Sequence, residues 1–319
     1  MLKKLLAMTL ASAFATIALS LNVSQAKAGF GTQYVAVGVS NGTNSGCSDP
    51  GFGTDSFGSA DWAVKHALMN APKGGTVFLC PGVYDFTTGV RIRGWIEPDI
   101  TISGAGRYKT TIDGGDEVQI FKVWTYVETL TVKAMTIQRA YAFEGAAICQ
   151  QGDVDLIVDE VTFQNNGADA YGAAIGCTGG NSLRVTNSSF VDNTVSAHGG
   201  AIDVHQDQGA YISNSVFIGN HADRGGALGA NGSDLDVVRC TFTRNSAVFT
   251  GGAIWFTEDK VSVSRSTFSG NSADYGGAIA LRKGLEFQGR KILSGNRFRT
   301  NSSLNVRERD LYIGLIDEW

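Results

Sequence analysis

Short apolar–polar alternations recur along the chain between about residues 130 and 305, and each precedes a phenylalanine. Alternation with a period of two is typical of β-strands, and the intervening segments are too short for helices. The alternating stretches are Leu156-x-Val158, Leu183-x-Val185, Tyr211-Ile212, Leu235-x-Val237 and Val261-x-Val263. The pattern therefore predicts many short strands joined by tight corners.

Two motifs repeat together with a period of about 26 residues. The first is Phe-x-x-Asn, which pairs Phe163 with Asn166, Phe190 with Asn193, Phe217 with Asn220, Phe242 with Asn245, Phe268 with Asn271 and Phe298 with Asn301. The second is Gly-Gly-Ala-Ile or a close variant, which starts at Gly145, Gly172, Gly199, Gly225, Gly251 and Gly276. Units of this kind must stack, because one alone cannot bury its apolar face. The repeat predicts an all-β fold, a parallel β-helix whose coils lie roughly 4.8 Å apart.

Each repeated residue type has a structural task in such a stack. The phenylalanines are expected to form an aromatic column in the interior. The asparagines are expected to form a hydrogen-bonded ladder at one corner, where their tolerance of the left-handed conformation also helps. The glycine pairs are expected at the next corner, where no Cβ fits. The high count of 41 glycines against 4 prolines suits a long ladder, because proline cannot donate to it.

The linked Phe-x-x-Asn and Gly-Gly-Ala-Ile motifs resemble the polymorphic outer-membrane protein repeat of bacterial surface proteins in the pectin-lyase-like superfamily. The resemblance covers about residues 130 to 305 and implies a right-handed parallel β-helix. The C-terminal autotransporter barrel of that family is not expected, since only Ser302–Trp319 follow Asn301. Self-translocation through an outer membrane is therefore not predicted.

The region before the repeats predicts a cap. Residues 59–71 form a short amphipathic pattern, with Ser59 as the N-cap and an apolar face of Ala63, Ala67, Leu68 and Ala71. The helix followed by Gly74–Tyr84 is similar to the start of many pectin-lyase-like chains, where a helix plugs the open end of the solenoid. We expect one β-helix domain over residues 29–319, with the cap and first strand in 29–85 and the coils in 86–319.

The first 28 residues predict export. A basic start, an apolar run and a small-x-small end at Ala26-Lys27-Ala28 are typical of a signal peptide, with cleavage after Ala28. A membrane anchor is the alternative. We expect a secreted protein, extracellular or at the cell surface, with the periplasm as another destination, and not an integral membrane protein after cleavage. The remaining 23 basic and 30 acidic side chains argue against a nucleic-acid partner.

The strands that follow each glycine pair supply the register from which candidate binding residues are predicted. If the apolar residue of each motif points inward, the residue two positions later also does, and those between and after face solvent. The inward residues are Ile148, Ile175, Ile202, Leu228, Ile254 and Ile279, then Gln150, Cys177, Val204, Ala230, Phe256 and Leu281. The outward columns are Cys149, Gly176, Asp203, Gly229, Trp255 and Ala280, then Gln151, Thr178, His205, Asn231, Thr257 and Arg282.

Four chemically distinctive side chains fall on this outward face. We predict a sugar- or polymer-binding surface of Asp203, His205, Trp255 and Arg282, with Trp255 as a stacking platform; an ordinary solvated sheet is the alternative. A corner column before the glycine pairs extends the surface if it turns the same way, which the sequence leaves open. It comprises Glu144, Tyr171, His198, Arg224, Thr250 and Tyr275.

Catalytic and metal-binding patterns are weaker. Asp203, His205 and Asp207 alternate along one strand, which suits acid/base catalysis or a loose metal site but is also common in exposed strands. The Arg-x-Pro-x-x-Arg, Asp-Asp and Gly-His-Gly signatures of pectin-lyase-like enzymes are missing. Asp49 and Asp55 are candidate Ca²⁺ ligands in a loop, but we expect no cofactor and no bound metal.

Five cysteines in an exported chain leave at least one thiol unpaired. Cys47 and Cys80 flank the cap and are the predicted disulfide. Cys177 and Cys240 map inward, and Cys240 occupies a slot otherwise held by serine, so a small core residue is expected there. Cys149 maps outward, so a bond to Cys177 is disfavoured by register.

Two functional hypotheses follow. The first is a non-catalytic, adhesin-like β-helix protein that binds a polysaccharide or a cell-surface component. The second is a carbohydrate-active lyase or hydrolase of the pectin-lyase-like superfamily with an atypical site. A purely structural spacer, which would neither bind nor cleave a polysaccharide, is a third possibility, and the sequence leaves the oligomeric state open.

Overall fold

The structure is a computed structural model that describes residues 37–40, 59–71, 73–92, 99–124, 127–178, 181–205, 209–257, 261–282, 293–304 and 311–314. The described residues belong to one compact unit, Gln33–Trp319. The predicted signal peptide over residues 1–28 lies outside them. None of the helices in the described ranges is long and apolar enough to cross a membrane.

The repeating sequence forms three sheets, and the predicted parallel β-helix is confirmed. Among the described strands, every pair is parallel except that of Val37–Ser40 with Thr76–Leu79. The first sheet contains Val37–Ser40, Thr76–Leu79, Gly82–Asp85, Ile100–Gly104, Thr110–Asp113, Thr129–Gln138, Asp155–Gln164, Ser182–Thr186, Ser189–Val191, Gly209–Ser213, Val216–Ile218, Leu235–Val238, Thr241–Thr243, Val261–Ser264, Thr267–Ser269, Leu293–Ser294 and Arg297–Arg299.

The other two sheets are built from strands that come later in each coil. The second sheet contains Val90–Ile92, Phe121–Val123, Ile148–Gln151, Ile175–Thr178, Ile202–His205, Leu228–Asn231, Ile254–Phe256, Ile279–Arg282 and Leu311–Gly314. The third sheet contains Tyr141–Glu144, Gly167–Tyr171, Thr194–Val195, His221–Arg224, Ser246–Thr250, Ser272–Ala273 and Ser302–Ser303. Each coil from Thr129 onward therefore contributes to all three sheets around one apolar interior, whereas the first two coils contribute strands to the first and second sheets.

The predicted capping helix is confirmed as Ala60–Asn70. Its buried face includes Ala63, Val64, Ala67 and Leu68, while Trp62 and Met69 are exposed on the opposite side. The helix packs near the Val90–Ile92 strand at the start of the second sheet. It thereby covers apolar core that an open first coil would leave in water.

The predicted aromatic column is confirmed. The six phenylalanines of the Phe-x-x-Asn motifs stack coil upon coil, with ring centroids 4.7–5.1 Å apart and planes within 13° of parallel. The first five of them are fully buried. This column fills the interior beside the first sheet.

The predicted asparagine ladder is also confirmed, with one correction. Each interior amide donates to the next asparagine Oδ1 and to a phenylalanine carbonyl of the preceding coil, as Asn220 does to Asn245 at 2.9 Å and to Phe190 at 3.0 Å. We expected the ladder asparagines to take the left-handed conformation, and they do not. The residue before each asparagine takes it instead, for example Asn165 (φ 53°) and Asp192 (φ 52°). The side chain must point inward to join the ladder, so the sharp turn is made one residue earlier.

The glycine pairs form the predicted second corner. The first glycine of each pair has positive φ, as at Gly199 (63°) and Gly225 (64°). A Cβ on the second would lie 2.1 Å from a backbone oxygen of the next coil at Gly200, and 2.3 Å at Gly226. Close approach between coils therefore requires glycine at positions 200 and 226, whereas the earlier coils have Ala146 and Ala173 at this position.

Candidate functional site

The inward register of the second sheet is confirmed. The apolar residues of the repeat pair in line from coil to coil, as Ile148 with Ile175 and Ile175 with Ile202. Gln150, Val204 and Phe256, two positions later in their coils, are also buried. The side chain of Cys177 lies outside the described residues.

The outward register is correct, but the expected exposure of the first outward column is wrong. Asp203 is 0% exposed and Trp255 is 4% exposed, and Cys149 and Ala280 are also buried. The corner that precedes each glycine pair folds back over this column: a Cβ on Gly199 would lie 2.8 Å from the Cβ of Asp203. The corner residues therefore cover part of the outer face of the second sheet and shield it from water.

The corner column thereby packs against the first outward column. The side chains that meet there form a cluster, here called the outer cluster. Its members are Tyr171, His198, Asp203, His205, Arg224 and Trp255. The Tyr171 ring lies 4.7 Å from the His205 ring, and the His198 ring lies 4.6 Å from Trp255. The Arg224 guanidinium lies 5.8 Å from the Trp255 ring centroid, within range of a cation–π contact. Four consecutive coils thus contribute to one packed group of aromatic and titratable side chains.

Asp203 is the centre of the outer cluster. Its Oδ2 lies 2.5 Å from Nε2 of His205, close enough for an ion pair. His205 is thus the partner of Oδ2, whereas Oδ1 of Asp203 has no hydrogen-bond partner. The carboxylate lies against Gly229 of the next coil, where an added Cβ would be 2.2 Å from Oδ1. A buried carboxylate in this state is costly unless something else satisfies it.

The electrostatics of the outer cluster follow from burial and from the close acid–imidazole contact. Burial raises the pKa of the Asp203 carboxyl, while His205 acts in the opposite direction. Burial lowers the pKa of His205, but the contact with Asp203 outweighs it and the net shift is upward. Burial, followed by the charges of Arg224 and His205, lowers the pKa of His198 to about 4. His198 is therefore a neutral imidazole at neutral pH.

A second polar group lies on the same outer face, nearer the capping helix. The cations of Arg91 and Lys122 lie 6.0 and 5.2 Å from the Trp124 ring. Trp124 donates its indole N–H to Gln151, which in turn donates to Glu144 at 3.0 Å. Beside it is a cavity of about 780 Å³ whose lining includes Lys65, Arg91, Lys122 and Gln119. The outer face therefore carries polar and aromatic groups over several consecutive coils.

The four predicted binding residues are placed as follows. Asp203, His205 and Trp255 belong to the outer cluster. Arg282 ends the Ile279–Arg282 strand of the same sheet, but its side chain lies outside the described residues, as does the whole of Asp207. Tyr171, His198 and Arg224 complete the cluster, and the sequence signal for them was their common position just before each glycine pair.

The remaining predicted sites concern the cysteines and the Ca²⁺ loop. Cys80 is buried and takes part in a disulfide, but Cys47 lies outside the described residues, so their pairing stays a prediction. Cys240 is a buried core residue, as predicted. Cys149 points outward yet is fully buried, and burial, followed by the charge of Glu144, raises its pKa to about 12. Asp49 and Asp55 lie outside the described residues.

Within the described ranges, His198, Asp203 and His205 form the group that is suited to hold a metal ion. Each offers one ligand atom, and these atoms lie within 4.8 Å of one another.

Comparison with known proteins supports the architecture. The family model for the right handed beta helix region matches residues 123–305, in agreement with the handedness predicted above, but it does not resolve the polymorphic outer-membrane protein repeat. No curated protein matches the chain. Among solved structures, the A-module of mannuronan C-5 epimerase AlgE6 from Azotobacter vinelandii is 12% identical, with 82% of this chain and 98% of that chain covered and a TM-score of 0.27.

Proposed function

The chain belongs to the right-handed β-helix family, and from that premise we propose that it is an exported protein that binds a polysaccharide along the outer face of its second sheet. A solenoid presents side chains at regular intervals along its axis, and an extended polymer can contact many coils at once. The fold alone does not indicate which face binds the polymer, because the same fold supports many functions. The side chains on each face decide this.

The observation that carries the proposal is the continuity of polar and aromatic groups on this one face. Trp124 and Gln151 occupy equivalent positions in consecutive coils and contact each other. His205 follows two coils later in the same column, beside Tyr171. Aromatic rings flanked by hydrogen-bonding groups are suited to sugars, which have both apolar faces and hydroxyl edges.

The charge at the capped end favours a polysaccharide with acidic sugars. Lys65, Arg91 and Lys122 line one cavity there, whereas Glu117 is its acidic member. Two cations gathered around Trp124 would attract a carboxylate while the indole covers a sugar ring. Trp255 has a different role from the stacking platform predicted above, because it is buried beneath His198 and Arg224.

The cellular part of the proposal rests on the sequence. The pattern of residues 1–28 favours export, and the two repeated motifs favour a polymorphic outer-membrane protein repeat and an adhesin-like role at a bacterial surface.

A polysaccharide panel tests the proposal. We expect saturable binding to a polyuronate such as polygalacturonate and weaker binding to a neutral β-glucan. The double variant Arg91→Ala/Lys122→Ala should lower the polyuronate affinity by about tenfold or more, since charge-assisted contacts contribute roughly 1.5–3 kcal/mol each. Arg184→Ala is the matched control, because Arg184 also lies over an aromatic ring, Tyr211, but on the first sheet. An equal loss in both variants, or no binding at all, would refute the proposal.

The Asp203–His205 pair favours a second candidate function, cleavage of a polysaccharide. A buried carboxylate against a partly exposed imidazole is an arrangement that supports proton transfer, and perturbed titratable groups cluster at active sites. Incubation with the same panel should then release unsaturated or reducing ends, and His205→Ala should abolish the release. Binding without new ends would reject this candidate and leave the first in place.

A further inference from the structure

We infer that His198, Asp203 and His205 bind a divalent transition-metal ion of the Zn²⁺ class on the outer face of the second sheet. The inference is independent of polysaccharide binding, because it rests on these three side chains alone.

The backbone brings the three ligands together from two neighbouring elements. Asp203 and His205 are two residues apart on the Ile202–His205 strand, so both project from its outer face. His198 lies at the corner before Gly199, where the backbone bridges to Tyr171 and Arg224 of the adjacent coils. The corner folds onto the strand, and one ligand atom from each residue comes within 4.8 Å of the others. An ion bonded to all three at the usual roughly 2.0–2.2 Å would require small side-chain rotations, because Oδ2 of Asp203 and Nε2 of His205 lie only 2.5 Å apart.

The second and independent observation is that two of the candidate ligand atoms are buried without hydrogen-bond partners. Oδ1 of Asp203 and Nδ1 of His198 are in this state, while Oδ2 of Asp203 and Nε2 of His205 meet only each other. Asp203 is 0% exposed, and a carboxylate so placed normally has partners for its lone pairs. A cation would satisfy several of these atoms at once, which the 2.5 Å contact with His205 does not.

The donor set selects the class of metal. Two imidazoles and one carboxylate suit Zn²⁺ and the neighbouring first-row ions, whereas Ca²⁺ and Mg²⁺ prefer oxygen ligands. His205 is 12% exposed at its side chain, which leaves a direction from which water or another ligand could complete the coordination.

The neighbouring coils leave space for the Asp203 carboxylate in this column. Gly176 and Gly229 pair with Asp203 on its two sides, so the coils above and below contribute no side chain to that column. A Cβ at position 229 would lie 2.2 Å from Oδ1 of Asp203.

Arg224 opposes the ion and therefore provides a second test. Its Nη1 lies 3.2 Å from Nε2 of His198, and its charge would repel a dication. Metal binding through Nδ1 of His198 would protonate Nε2 and move the guanidinium away. Arg224→Gln should consequently raise the metal affinity, whereas a purely structural cluster predicts no such gain.

The experiment uses untagged protein stripped with a chelator and then titrated with Zn²⁺ by equilibrium dialysis, and with Co²⁺ by visible absorption. We expect one equivalent of Zn²⁺ and a Co²⁺ spectrum that Zn²⁺ abolishes. Asp203→Asn and His205→Gln should each lower the affinity by tenfold or more. His221→Gln is the matched control, because His221 lies on the third sheet and pairs with Ser246 at 2.9 Å, and it should leave the affinity within twofold.

Several results would overturn the inference. One is that the native protein gives no saturable Co²⁺ absorption. Another is that the native protein and Asp203→Asn bind Zn²⁺ with equal affinity. A third is that His221→Gln loses as much metal affinity as His205→Gln. The native titration needs no variant to fold and needs no polysaccharide. The metal titration can therefore be interpreted even if the protein does not bind a polysaccharide. Polysaccharide binding can likewise be interpreted even if the protein does not bind a metal.

Discussion

The interior of the solenoid and the first outward column of its second sheet are both buried, but they are filled in opposite ways. In the interior, the same side chains recur in every coil: a phenylalanine stacks on a phenylalanine, and an asparagine bonds to an asparagine. On the outer face, the equivalent positions hold Cys149, Asp203 and Trp255, with glycines between.

The two regions also differ in how their polar atoms are satisfied. Each ladder asparagine in the interior has partners for both its amide nitrogen and its carbonyl oxygen. Asp203 is equally buried, yet its Oδ1 has no hydrogen-bond partner and its Oδ2 meets only the imidazole of His205. Burial with partners stabilises a fold, whereas burial without them costs free energy that a binding function can explain. Residues that repeat in every coil thus build the fold of this chain. Residues that vary between coils, with buried polar atoms that lack partners, form its candidate site.

The largest expected effect on stability is in the aromatic column. Phe217→Ala should lower the free energy of unfolding by about 3–5 kcal/mol, because it removes a fully buried ring that stacks on both neighbours and leaves a cavity. Denaturant unfolding measures the change. Phe143→Ala is the control, since that ring is 64% exposed on the third sheet. Similar losses in both variants would contradict the assignment of stability to the interior.

The next effect is in the ladder. Asn220→Ala should cost about 3 kcal/mol, because it leaves the backbone N–H and amide of Asn193 and the carbonyl of Phe190 without their partner. The comparison is with Thr194→Ala, an exposed position in the same region, which should stay within about 0.5 kcal/mol of the native protein. A loss below about 1 kcal/mol for Asn220→Ala would mean that the ladder contributes little.

The outer face should respond in the opposite direction. Asp203→Asn keeps the shape but removes the charge of a buried carboxylate whose Oδ1 lacks a hydrogen bond and whose Oδ2 meets only His205, so metal-free protein should become more stable by about 1 kcal/mol. Denaturant unfolding in the presence of a chelator measures this. A loss of about 2 kcal/mol or more would show that the carboxylate holds the corner in place and is structural like the interior.

The smallest effect is expected where the interior departs from its own repeat. Cys240 occupies the slot of Ser215 and Ser266, whose hydroxyls accept hydrogen bonds from backbone N–H groups of the preceding coil. Cys240→Ser restores that pattern and should change the free energy of unfolding by less than about 1 kcal/mol. A larger loss, measured in the same unfolding assay, would show that the thiol contributes packing that a hydroxyl cannot replace.

Much of the fold was predictable because each repeated residue has a local reason for its place. The spacing of Phe163, Phe190 and Phe217 predicts coils in register, and Asn166 three residues after Phe163 predicts the ladder. The apolar face of residues 59–71 predicts the capping helix. These are short-range patterns, and stacking reproduces them from coil to coil.

The candidate site was only partly predictable, because it depends on how a corner turns. Alternation along Ile202–His205 places Asp203 and His205 on one face, but it does not show that the corner at His198 folds over them. For the same reason, the sequence did not predict that Trp255 is buried. The left-handed turn at Asp192 rather than Asn193 was missed for a related reason, since the inward direction of the ladder side chain determines which residue must turn.

Hydroxyl-radical footprinting with and without a polyuronate tests most directly whether the varied outer face of the second sheet is the binding site. Trp124, Tyr171 and His205 are partly exposed on that face, and Tyr211 is a partly exposed aromatic residue on the first sheet. The account predicts that the polymer slows oxidation of the first three and leaves Tyr211 unchanged. Protection of Tyr211 alone, or equal protection of all four residues, would contradict it.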